Sequence, residues 1–164
     1  MTQMTIRLSG CYEDVAAIHD ALYSYNLSKT KTKRIEVHAK QVPEQFAMLA
    51  CDAHGISHGG IAFHWEKDPR RVFVDYFFLE EDIRGMGAGK ALFEEFMRRV
   101  KRDGALRIDL TTNTFQTPGF YQKMGFRITG EKKAPSPGCP ENIHYTMSCD
   151  LRRPSGSKSA KKKE

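Results

Sequence analysis

No apolar run in the 164-residue chain approaches the ~18 residues that a membrane helix needs, and no basic-then-apolar leader opens it. A cytoplasmic, soluble protein without a membrane partner is expected. The four cysteines, Cys11, Cys51, Cys139 and Cys149, form no C-x-x-C pair. They are expected as free thiols, not as a disulfide framework. Internal repeats are missing too, so one domain is expected. The body also lacks any excess of one charge. From Arg152 onward "RRPSGSKSAKKKE" carries six bases and one acid, whereas the first 151 residues carry 20 bases and 19 acids. The formal charge of +6 is therefore mostly a property of the tail, and the body has no basic footprint for nucleic acid. Residues 1–151 are expected to form the domain. Residues 152–164, without apolar periodicity, are expected to be a disordered basic tail.

What remains is 40% hydrophobic, enough for a core, and its periodicities alternate between 2 and 3.6. "MTIRLS" reads as a strand. "YEDVAAIHDALYSYNLSK" sets Val15, Ile18, Leu22 and Tyr25 at helical spacing, and residues 28–44 read as a loop or a weak second helix. "FAMLACDAHGISHGGIAFHWEKDPRRVFVDYFFLEE" reads as three strands with turns at "DAHGIS" and "EKDPR", an antiparallel meander. "GAGKALFEEFMRRVKRDG" is an amphipathic helix with Ala88, Leu92, Phe96 and Val100 on one stripe; Glu94 and Glu95 precede Arg98 and Arg99 by four. "ALRIDLTT" turns Leu106, Ile108 and Leu110 inward as the next strand, parallel to the strand before the helix. "TPGFYQKMGF" reads as a short helix capped by Thr117, with Pro118 first and Gly125 closing it. Two strands, near 126–133 and 142–151, complete a mixed α/β order.

The stretch "IRGMGAGKAL", residues 83–92, has the look of an anion site. A Walker A loop is excluded, since Arg84 stands where its first glycine belongs and Ala91 where its hydroxyl belongs. A dinucleotide fingerprint begun at Gly85 puts Lys90 at its last glycine, and three meander strands precede it. R-x-x-G-x-G remains, with Arg84, Gly87 and Gly89 in place. Successive amides from Met86 to Lys90 can then point into one concavity at a helix N-terminus, and Arg84 adds a positive charge, which suits a pyrophosphate.

That stretch and "TTNTFQTPGFYQKMGF" some 25 residues later together resemble the GNAT superfamily of acetyl-coenzyme A-dependent N-acetyltransferases. The matching residues in the second motif are Thr111 or Thr112, Phe115, Gln116, Pro118, Phe120, Tyr121, Gly125 and Phe126. The resemblance is strongest from Arg71 to Gly130. It implies a GNAT-like α/β domain of about six to seven strands, mixed but mostly antiparallel, flanked by helices. A V-shaped opening should separate the strand ending near Leu79 from that of residues 105–112. Acetyl-coenzyme A is the implied co-substrate. Its pantetheine would pair with the edge of Phe77, Phe78 and Leu79, and its pyrophosphate would rest on Arg84, Gly85, Met86, Gly87, Ala88, Gly89 and Lys90. Asn113 would hold the pantetheine arm, and Pro118, Phe120, Tyr121 and Lys123 would line the groove. A homodimer is compatible with the resemblance.

Acyl transfer needs an acid for the departing thiolate and a base for the amine. Tyr121 matches the family's acid position. The family does not fix the base. Asp75 is the first candidate, because alternation puts it on the face of Phe73, Phe77 and Leu79; Glu80 is the second. His54, His58 and His64 cluster near one hairpin, but no acid or cysteine completes a zinc set in the sequence, so no metal is expected. Tyr23, Tyr25 and Trp65 are read as core or rim packing, with a wall of the acceptor site as the alternative. The expected function is acetylation of a primary amine of a small molecule or peptide, by direct attack in a ternary complex. The alternatives are a non-catalytic acetyl-coenzyme A sensor, and an acetyltransferase brought to RNA or ribosomes by its basic tail.

Overall fold

The alternating segments pair into a seven-stranded sheet, and the computed structural model describes residues 4–152. β1 (Thr5–Ser9), β2 (Gln45–Cys51), β3 (Ser57–Trp65) and β4 (Arg71–Leu79) run antiparallel in turn. β5 (Arg107–Asn113) returns parallel to β4, and β7 (Ile143–Asp150) inserts between β5 and β6 (Arg127–Lys133). This is the mixed, mostly antiparallel α/β arrangement expected from the order of elements.

Two helices cover the two faces. α1 (Tyr12–Thr30) buries Val15 and Ile18 against Ala47, Leu49 and Ala62. On the other face α3 (Ala88–Arg102) buries Leu92, Phe93, Phe96 and Val100 against Met48, Ile61, Phe63 and Val72. Phe93 and Phe96 are fully buried and meet edge to face at 5.6 Å. Each such ring contributes about 1.5–3 kcal/mol of burial. Among the described residues no helix is long and apolar enough to cross a membrane, and all four cysteines are free.

Local differences have local causes. Residues 31–42 form no second helix; the chain is instead tied down by Tyr12 Oη donating to Ala39 O (2.6 Å) and Tyr23 Oη to Ile35 O (2.8 Å). Leu106 is 39% exposed, because β5 starts one residue later and Ala105 takes the buried place. A one-turn helix, α2 (Glu81–Arg84), stands between β4 and the glycine turn. The short helix α4 (Gly119–Lys123) follows a 3-10 turn at Thr114–Gln116, and Thr117 lies at φ 52°, so its side chain cannot act as the expected N-cap. On α3 Glu95 binds both Arg98 and Arg99, while Glu94 pairs back with Lys90. The tail expectation lies outside the described residues, apart from Arg152, which pairs with Asp150.

The largest revision is a β-bulge in β4. Ala62 pairs with Tyr76 and the next residue, Phe63, pairs with Val74, which leaves Asp75 as the extra residue. Phe77 and Leu79 therefore face α3, whereas Tyr76 and Phe78 pack with the α1 cluster. Asp75 reaches Gln45 and His64, which lie two residues along their strands from Ala47 and Ala62 and so share the α1 face. The expectation that Asp75 shares a face with Phe77 and Leu79 is corrected by one inserted residue.

At the far ends of β3 and β4, His58 sits between two carboxylates. Nε2 meets Asp52 Oδ2 at 2.8 Å and Nδ1 meets Glu80 Oε1 at 2.9 Å. Both ring nitrogens face acceptor-only groups, so both carry protons and the ring is an imidazolium. The hydrogen bonds that His58 donates to Asp52 and then to Glu80 raise its pKa to about 9, and the first of these bonds leads in lowering Asp52 to about 2. Glu80 and Asp82 also bring ligand atoms within 4.8 Å of His58 and of one another, a grouping of one histidine and two acids that the sequence, in which no acid is seen to complete a set with the histidines, does not reveal. A raised histidine pKa stabilises the fold fully below its ordinary value near ~6.5 and ceases to do so as pH rises through the folded value. The stability advantage of wild type over His58→Gln should hence be largest below about pH 6.5 and vanish above about pH 9. Thermal unfolding across that range measures it, and a difference independent of pH would contradict the imidazolium.

Candidate functional site

β4 and β5 are paired only at Arg71–Arg107, Val72–Ile108 and Phe73–Asp109. Beyond Phe73 the bulge turns β4 away, while β5 remains bound to β7 along its whole length, from Arg107 to Asn113. The strands part into the expected V. A cavity of about 250 Å³ occupies the gap, lined from β4 by residues 74–79, from β5 by Leu110 and Thr111, and from α1 by Leu22 and Tyr25. Arg84, Gly89, Gln116, Thr117, Phe120 and Tyr121 complete the wall. The β4 edge offers a peptide-like partner unpaired backbone groups, which cannot remain buried without one.

At one end of the gap lies the glycine turn. Gly87 has φ 74°, a conformation that glycine adopts without a Cβ penalty, and it is the N-cap of α3. An added Cβ at Gly85 or Gly87 would meet nothing within 4 Å, so the turn is an open cradle. At Gly89 the same atom would press on the Phe120 ring at 3.4 Å, so the helix start packs close to α4. The first turn of α3, Ala88 to Lys90, has N–H groups without upstream carbonyls and carries no acid. Met86 does not join them, since its N–H donates to Ile83 O at 3.3 Å. The cradle fits a diphosphate: four consecutive residues, Gly87 to Lys90, are free to present N–H groups to an anion.

Arg84 is engaged by its neighbours at the gap. Nε donates to Leu79 O at 2.7 Å, and the guanidinium carbon lies 5.4 Å from the Tyr25 centroid and 5.2 Å from that of Phe78. The side chain is folded into the cavity mouth.

Tyr121 lies where the aromatic chain reaches the gap. Its ring meets Phe93 at 5.6 Å and Phe77 at 6.2 Å, both edge to face. Burial pushes its phenol above the ordinary tyrosine value, which keeps it protonated and able to donate. Asp75 lines the same cavity from the α1 side. His64 Nδ1 lies 2.8 and 3.0 Å from its two carboxylate oxygens, and Gln45 Nε2 donates at 3.3 Å. Burial raises the Asp75 pKa, against the opposing effects of His64 and Gln45. A carboxylate with a raised pKa and a protonated phenol thus line one gap.

Other expected residues lie apart from it. Glu80 is held by His58, and neither it nor Asn113, Pro118 or Lys123 lines the cavity. The Asn113 carboxamide donates to Gln116 Oε1 (3.1 Å) and accepts from Asn142 Nδ2 (3.0 Å). Gln116 Nε2 donates to Asn26 Oδ1 at 2.9 Å, so this network fastens α1 across the gap. Trp65 packs on the α3 core, Tyr23 lies against His19 and Arg34, and only Tyr25 of the three reaches the cavity. His64, Gln45, Leu22 and Thr117 were not among the sequence candidates. The polar Gln45 and His64 on otherwise apolar strands are the signal that could have found that pair.

The family model described as Acetyltransferase (GNAT) domain matches residues 43–128, just over half of the chain. Blasticidin-S acetyltransferase of Streptomyces morookaense is 29% identical over 103 residues, 61% of this chain and 73% of that protein. Peptidyl-lysine N-acetyltransferase YjaB of Salmonella typhimurium is 38% identical over 71 residues, 41% of this chain and 44% of that protein. The chain therefore spans less than half of that second relative. A GCN5-related N-acetyltransferase from Kribbella flavida has the same fold, with a TM-score of 0.69 at 18% identity over 90% of this chain and 97% of that one. The parted strands, the glycine cradle and these matches have one reading: the chain is an acyltransferase that belongs to the GNAT acetyltransferase family.

Proposed function

We propose that the protein transfers the acetyl group of acetyl-coenzyme A to a primary amine of a small molecule or peptide, by direct attack in a ternary complex. The observation that supports this reading is that Asp75 and Tyr121 both line the gap beside the glycine cradle. When bound, acetyl-coenzyme A supplies the activated acyl group. Gly87 to Lys90 would hold its pyrophosphate, and the edge of Phe77, Phe78 and Leu79 its pantetheine amides.

The remaining chemistry falls to side chains. A primary amine with a pKa near ~10 is about one part in a thousand neutral at pH 7, so a base is needed. Asp75 accepts that proton, and its raised pKa makes it a better acceptor than an ordinary aspartate. His64, at hydrogen-bond distance on the other side, holds the carboxylate in place. Tyr121 donates its phenolic proton or a hydrogen bond to the departing sulfur.

Three variants test separate parts. Gly87→Asp puts a carboxylate into the open cradle, where φ 74° costs about 1–2 kcal/mol, and should abolish calorimetric binding of coenzyme A while the fold survives. Tyr121→Phe keeps the packing and should lower kcat by roughly ten- to ten-thousand-fold with little change in cofactor affinity. Asp75→Asn should remove the acidic limb of the kcat/KM profile, which in wild type lies above the usual aspartate range, and activity should partly recover at high pH where the amine is already neutral. Tight cofactor binding with no thiol release across amino acids, polyamines, aminoglycosides and peptides would instead identify a sensor.

A further inference from the structure

We propose that Tyr25 and Phe78 form a cation slot in the acceptor half of the cavity, and that the acceptor is an amine bearing a second, permanently cationic group such as a guanidinium. This rests on the transferase reading above and names the substrate class of that site. The two rings line the cavity with centroids 6.2 Å apart and planes tilted by 55°. A guanidinium already sits there. Arg84 lies within 5.4 Å of both centroids, inside the ~6 Å reach of a cation–π contact, while its Nε donates to Leu79 O. Two aromatic faces and a carbonyl oxygen thus hold a planar cation inside a cavity whose proposed chemistry acts on amines.

Charge gives the second line of argument. Among the described residues, Asp75 supplies the only carboxyl group and Arg84 the only basic group of the lining. Arg84 opens the glycine turn, four residues before the anion-binding helix start, so a diphosphate in the cradle competes for its guanidinium. Once Arg84 turns to the phosphates, the slot keeps its two aromatic faces and the cavity its one carboxylate. That lining attracts a cation and repels a carboxylate. Lys29 Nζ, 5.4 Å from the Tyr25 ring, is a like charge that weakens the slot without filling the cavity. The acceptor's cation replaces Arg84 one for one, and cofactor and acceptor bind with positive coupling.

The test compares three primary amines: 4-guanidinobutylamine, n-hexylamine and 5-aminopentanoate. With wild type, kcat/KM should fall in that order, the first exceeding the second by roughly 2- to 30-fold, the range of a cation–π contact. Calorimetry should show 4-guanidinobutylamine binding more tightly in the presence of coenzyme A. Tyr25→Leu should bring the first two amines to parity, whereas Tyr25→Phe should keep the preference. Arg84→Gln, which removes the internal cation, should let 4-guanidinobutylamine bind equally well with and without coenzyme A. Equal use of all three amines by wild type, or a preference that survives Tyr25→Leu, overturns the slot. If no amine is turned over, the transferase reading fails by itself: calorimetric binding of 4-guanidinobutylamine that depends on Tyr25 would still uphold the slot, and absence of that binding would overturn it.

Discussion

Everything that this protein offers a ligand depends on two parallel strands that are hydrogen-bonded for only three residues. β4 and β5 are joined from Phe73–Asp109 back to Arg71–Arg107 and are apart beyond. Neither can close the gap. β5 is committed to β7 on its other side, and β4 to β3 as far as Leu79. The inserted Asp75 makes the parting sharper, since a bulge increases local twist. The unpaired backbone left along β4 is costly to bury and cheap to satisfy with an amide chain, which is the physical basis for proposing that a pantetheine arm pairs there as another strand would.

The bulge also divides labour between the two faces. Without it, one alternation would run from Phe73 to Leu79 and put the carboxylate among the phenylalanines of the α3 core. With it, Phe77 stays in the ring chain that seats Phe93, Phe120 and Tyr121, while Asp75 turns toward α1, His64 and Gln45. Tyr121 and Asp75, the proposed proton donor and acceptor, thus reach the same cavity from different layers of the molecule. One residue of register separates a buried charge without purpose from a carboxylate at the acceptor side.

What could be read from the sequence was what depends on neighbours in the chain. The meander, the amphipathic helix at Ala88–Arg102, its glycine turn and the short helix before Gly125 all have periods or turn residues written within a dozen positions. The features that could not be read depend on long-range register or on competition between partners. Asp75 as a bulge needs the β3 pairing. Leu106 matches the alternation of Ile108 and Leu110, yet the strand starts after it. Thr117 has the composition of a cap and the backbone angle of a left-handed turn. The insertion of β7 between β5 and β6, and the meeting of His58 with Asp52 and Glu80, are contacts between segments that no local pattern connects.

The same distinction runs through the site. Its proposed cofactor half is a short contiguous stretch, Arg84 to Lys90, which would act mainly through backbone groups and so tolerate changes of side chain. The proposed acceptor half draws on α1, β4 and the 3-10 turn, and a hydrogen-bonded chain from Asn26 through Gln116 and Asn113 to Asn142 ties α1 to it. Any substitution in those side chains changes what the gap admits without touching the cradle. A fold organised this way can keep one acyl donor and alter its amine freely. Arg84 is the residue that links the halves, because it is fixed in sequence by the turn and held in space by the aromatic pair and the Leu79 carbonyl on the acceptor side.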